Sequence, residues 1–107
     1  MTNIDLRHLN ILIVEPNLLL RSVFRQVLRE LGATQVETVT SADAAFDAFQ
    51  DGDIDIVLAD WSRSCDGLEL LRRLRDEHES KNPFVPVIIT SANTKPQSVI
   101  VARDGGM

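Results

Sequence analysis

Cysteine is nearly absent. The 107 residues hold one, Cys65, so no intrachain disulfide can form, and a cytoplasmic location is expected. Histidine is almost as rare, His8 and His78, so there is no Cys- or His-rich metal spacing. Metal chemistry here must use oxygen ligands, which suits Mg²⁺. Neither histidine has partners in a triad pattern, and Cys65 has no neighbouring base to make a reactive thiolate. Positive charge is in deficit: 11 basic residues face 16 acidic ones for a net charge of -5, which argues against a nucleic-acid surface. Arg72, Arg73 and Arg75 form the main basic cluster and, with acids around them, read as a solvated helix face. Long apolar runs are missing, so no membrane span is expected, and the N-terminus lacks a signal-peptide pattern. What remains is 44% hydrophobic and 25% charged, ordinary for one compact domain over residues 1–107.

The apolar residues fall into short runs and helical stripes. Asn10 to Val14 is a continuous run of the kind buried on both faces of a parallel sheet. Asn17 is a candidate N-cap for a helix with Leu19, Leu20, Val23, Phe24, Val27, Leu28 and Leu31 at spacings of three and four, closed by Gly32. Gln35 to Val39 reads as a strand nearer the sheet edge, and Ser41 caps a helix of small residues that ends near Gly52. Ile54 to Ala59 is the expected central strand, followed by a loop and a helix from Gly67 to about His78 with Leu68, Leu71 and Leu74 on one face. Val87 to Thr90 is a fourth strand, and Pro96 opens a last short helix. No repeat, low-complexity segment or linker interrupts this alternation, which predicts a doubly wound α/β layer with a parallel sheet. Ligands of such sheets bind beyond the carboxyl ends of the strands. Glu15 and Asp60 close two of the runs and Ser91 follows a third, so all three fall there.

Four segments carry a family resemblance. Ile11-Leu12-Ile13-Val14-Glu15, Val57-Leu58-Ala59-Asp60-Trp61, Asp66-Gly67-Leu68-Glu69-Leu70-Leu71 and Val85-Pro86-Val87-Ile88-Ile89-Thr90-Ser91-Ala92 stand in order and at family spacing. The chain thus resembles a response-regulator receiver domain, the CheY-like, flavodoxin-like phospho-accepting module of two-component signalling. The resemblance implies a non-enzymatic switch in which Asp60 accepts a phosphoryl group from a histidine kinase or phosphotransfer protein. It implies Mg²⁺ held by Glu15, Asp60 and the main-chain carbonyl of Ser62, and a switch hydroxyl at Ser91. A carboxylate is a competent in-line nucleophile, and a divalent cation removes the repulsion between neighbouring acids.

Three positions depart from the family pattern. The first strand there ends in two adjacent acids; here the second is Pro16, with no side-chain oxygen and no N–H, so weaker Mg²⁺ binding is expected. The loop from Asp60 to Gly67 is one residue short, with Arg63-Ser64 in place of a Met-Pro signature. The chain stops at Met107, before the fifth strand, its lysine and the fifth helix; Lys95 is a poor geometric match for that lysine. The expected consequences are an exposed edge at Val87 to Thr90, an uncovered Leu19/Val23/Val27 face, and a homodimer. The alternative is a degenerate pseudo-receiver that works as a phosphorylation-independent interaction module.

Overall fold

A computed structural model describes residues 6–60 and 67–90. The described elements are β1 (Asn10–Val14), α1 (Leu18–Glu30), β2 (Gln35–Val39), α2 (Ala42–Asp51), β3 (Ile56–Asp60), α3 (Gly67–Arg75) and β4 (Val87–Thr90). The four strands form one parallel sheet in the order β2-β1-β3-β4, the doubly wound arrangement expected. Ser62, Ser91, Trp61, Cys65, Lys95 and the short helix after Pro96 lie outside the described residues.

Local chemistry sets the boundaries. The Asn17 side chain accepts from the Leu20 N–H at 3.0 Å and the Ser41 hydroxyl from the Ala44 N–H at 3.1 Å, so each satisfies a free donor at its helix start. Gly32 takes a φ of 105°, and the N–H groups of Gly32 and Ala33 return to the carbonyls of Arg29 and Leu28. This left-handed closure is what makes glycine the residue of choice there.

Three boundaries differ from those expected, the smallest difference being that β3 runs on to Asp60 rather than stopping at Ala59. The central strand starts at Ile56 rather than Ile54. The Asp55 carboxylate accepts from the Asn10 N–H at 2.7 Å and the Asp55 N–H donates to the Asn10 carbonyl at 2.8 Å, so the chain is still turning into the sheet. Helix α3 ends at Arg75 rather than near His78, because Asp76 begins a turn: its side chain accepts from His78 N–H at 2.8 Å and its carbonyl from Ser80 N–H at 2.9 Å.

The sheet is buried on both faces. Alternation along β1 sends Leu12 and Val14 to one side, with Phe46 and Phe49 of α2 and Leu70, Leu71 and Leu74 of α3. Ile11 and Ile13 go to the other side, with Phe24 and Leu28 of α1. The rest of the α1 stripe is not used inward: Leu19 is 71% exposed, Val23 45% and Val27 48%. Ile88, paired with Leu58 in the register, opens on the same side at 46% exposure.

The basic cluster on α3 is not a uniformly solvated face. Arg73 stacks its guanidinium 4.0 Å above the Phe46 ring and pairs with Asp43 at 3.1 Å and Glu79 at 3.4 Å, tying α2 to α3. Arg75 turns inward and donates to the carbonyls of Pro83 at 3.1 Å and Val85 at 2.6 Å; burial lowers its pKa, and the two carbonyls compensate for lost water. Only Arg72 behaves as a solvated pair member. Its hydrogen bond and charge hold the partly exposed Glu69 carboxyl below the usual carboxylate range, a surface effect of little weight for stability.

Candidate functional site

The carboxyl ends of β1 and β3 meet where two parallel ladders bring them level. Register pairs Val14 with Ala59 and Asp60 with Thr90, so one further step along β1 sets Glu15 beside Asp60. Both acids are buried, Glu15 at 3% and Asp60 at 7% exposure. Burial of two carboxylates at adjacent strand ends is costly unless hydrogen bonds or a cation compensate. Every buried side-chain oxygen and nitrogen among the described residues has a hydrogen-bond partner.

Glu15 is held by its own turn. Its N–H donates to the Val39 carbonyl at 3.0 Å, and its Oε2 accepts from the Asn17 N–H at 3.0 Å. Pro16, standing where the family carries its second acid, is an acceptor through its carbonyl alone. Arg21 reaches back one helical turn, and its Nη1 donates to the Glu15 carbonyl at 2.9 Å and to the Pro16 carbonyl at 3.2 Å. This arginine was not singled out from sequence. The available signal is its place four residues after the N-cap, since helical side chains lean over the turn that precedes them.

The donor set fits a small hard cation only in part. Two carboxylates stand at neighbouring strand ends, Glu15 with its Oε2 on the Asn17 N–H, and no group of three or more His, Cys, Asp or Glu able to hold a metal occurs among the described residues. Mg²⁺ takes octahedral oxygen sets and keeps several waters, so two described carboxylates alone would make a sparse site for it. Chemically, the strand-end pair offers an oxygen nucleophile next to an acid that can share a cation. No described helix is long and apolar enough to cross a membrane.

Known proteins resemble this chain in sequence and fold. The chemotaxis protein CheY-3 of Vibrio cholerae is 28% identical over 102 residues, covering 94% of this chain and 77% of its own length. The chemotaxis protein CheY of Pseudomonas aeruginosa is also 28% identical, over 100 residues that cover 92% and 79%. Among solved structures, the receiver domain of the histidine kinase CKI1 from Arabidopsis thaliana, complexed with Mg²⁺ and BeF₃⁻, matches with a TM-score of 0.83 at 23% identity, covering 95% of this chain and 78% of that one. CheY4 of Vibrio cholerae matches with a TM-score of 0.78 at 21% identity, covering 92% and 80%. Residues 11–107 match the family model of the response regulator receiver domain. With the strand order, the two buried strand-end acids and this match together, the chain belongs to the response regulator receiver domain family.

Proposed function

We propose that residues 1–107 act as one receiver domain of a two-component phosphorelay, with Asp60 taking a phosphoryl group from a histidine of a partner kinase or phosphotransfer protein. The observation that carries this is the pair of buried acids, Glu15 and Asp60, level with each other at the carboxyl ends of β1 and β3. In-line attack by an Asp60 oxygen on the phosphohistidine phosphorus forms an acyl phosphate and releases the histidine. Glu15, Asp60 and the Ser62 carbonyl are the residues that would hold Mg²⁺, which supplies charge neutralisation when bound. Ser91 is assigned the hydroxyl that turns to the phosphoryl oxygens and biases a protein-interaction surface. The chain is then a cytoplasmic signalling module rather than an enzyme, acting without nucleic acid or membrane. That a structural neighbour, the receiver domain of CKI1, was solved complexed with Mg²⁺ and BeF₃⁻ supports this reading. Phosphoryl uptake followed by intact mass tests it: one phosphoryl group on the wild-type chain and none on Asp60→Asn.

One observation favours a second reading. Pro16 removes a carboxylate, and the Asn17 N–H already occupies Glu15 Oε2 at 3.0 Å, which suits a pseudo-receiver that binds partners without phosphorylation. Both readings include a homodimer. The exposed Leu19, Val23 and Val27 on α1 and the exposed Ile88 on β4 give it an apolar surface on one side of the sheet. Light scattering should return twice the chain mass, falling to one chain mass on Val23→Asp/Val27→Asp; a stable wild-type monomer would refute the dimer.

A further inference from the structure

Most cations of this acidic chain are already spoken for. Arg72, Arg73 and Lys81 meet carboxylates, Arg21 and Arg75 meet main-chain carbonyls, and Arg7 is engaged as well. Arg25 and Arg29 differ. Among the described residues neither guanidinium has a carboxylate or carbonyl partner, although the chain carries 16 acids. Glu30, the nearest acid in sequence, leans instead to Gln26 at 3.4 Å. On a helix, residues i and i+1 do not face each other whereas i and i+4 share a face, so Arg25 and Arg29 stand together and Glu30, one residue after Arg29, does not join them.

These two arginines line a cavity of about 300 Å³ together with Ala33, Thr34 and Val36. The cavity lies against β2, an edge strand of the sheet among the described residues. The Val39 carbonyl faces β1, where it accepts from Glu15 N–H. Backbone groups alternate along a strand, so the Val36 N–H points the other way, to the open edge. The carbonyls at the end of α1 do not oppose an incoming anion strongly, because the N–H groups of Leu31, Gly32 and Ala33 close them. The concavity therefore offers two fork-shaped cationic donors one helical turn apart and an outward main-chain donor, with no carboxylate in its lining.

We propose that this cavity is an oxyanion site for a phosphate group, distinct from the Glu15/Asp60 crevice and at the opposite, amino-terminal end of the strands. Guanidinium forks match the oxygens of a phosphate in pairs and keep their charge at any physiological pH. The volume, at the small end of ligand pockets, suits inorganic phosphate or the phosphate of a small ester rather than a long acidic segment.

The test is an NMR titration of the ¹⁵N-labelled chain, following backbone amides and arginine Nε–H, without Mg²⁺ and at fixed ionic strength. Inorganic phosphate and adenosine monophosphate are the two probes, with chloride as control. Saturable shifts at Thr34, Val36 and the Nε–H of Arg25 and Arg29 are expected, unchanged in Asp60→Asn. Arg25→Gln/Arg29→Gln should weaken binding roughly tenfold or more at an unaltered urea midpoint, since both side chains are exposed. Equal affinities would assign the site to free phosphate, and tighter binding of the monophosphate to an ester; both support the proposal. Shifts that follow chloride equally, that persist in the double variant, or that fail to appear with either probe would overturn it.

Discussion

Phe49→Ala is expected to destabilise the chain by about 3–5 kcal/mol, the usual cost of emptying a buried aromatic site. Phe49 is 2% exposed and sits in the cluster that joins α2, α3 and the inner strands, with its ring centroid 6.5 Å from that of Phe46. Phe46 in turn lies under the Arg73 guanidinium, so the void would open beneath the clamp that fixes α2 to α3. Small domains have about 5–15 kcal/mol in total, so a large part of the folded margin would go. Urea denaturation should show a lower midpoint at an unchanged slope, or a chain unfolded before urea is added. Phe84→Ala is the control: at 83% exposure it should move stability by no more than about 0.5 kcal/mol. Equal losses from the two would mean that the core is not where the fold places it.

The second large effect concerns metal. Pro16→Asp is expected to raise Mg²⁺ affinity by at least roughly tenfold, because even residues that only support metal ligands are commonly worth 10–100-fold. The substitution restores a carboxylate at the end of β1 beside two buried ones. Without Mg²⁺ the third charge adds repulsion, so the variant should be less stable than wild type in chelator and gain more on adding the cation. The Arg21 bond to the residue-16 carbonyl uses the main chain, so the turn itself should survive the change. Trp61 follows Asp60 in the chain, and its fluorescence provides the titration signal. An unchanged Mg²⁺ midpoint in Pro16→Asp would show that Pro16 is not what limits the site.

Much of this was legible from residue order alone, for physical reasons. Strands β1, β2 and β4 were readable because an apolar run flanked by polar turn formers has little alternative, and Asn17, Ser41 and Gly32 announce helix ends by chemistry that needs no tertiary partner. The parallel order followed from strand–helix alternation, and Glu15 and Asp60 from the rule that ligands gather at carboxyl ends. What was not legible depends on long-range contacts. The exchange between Asn10 and Asp55 delays β3, and neither residue signals the other across the sequence. Arg73 and Arg75 look like solvent charges until Phe46 and the Pro83 and Val85 carbonyls arrive beneath them. Periodicity alone cannot say which half of the wide α1 stripe meets the sheet; Phe24 and Leu28 do, and the exposure of Leu19, Val23 and Val27 was expected only from the family resemblance.

The central claim is that Asp60 accepts a phosphoryl group in a pocket shared with Glu15. Its most direct measurement is intact-mass spectrometry after incubation with Mg²⁺ and a small acyl phosphate donor, with peptide mapping of the product. The account predicts one added phosphoryl group on Asp60, labile as an acyl phosphate, reduced in Glu15→Gln and absent in Asp60→Asn. No added mass on a folded wild-type chain, or the same added mass on Asp60→Asn, would contradict it.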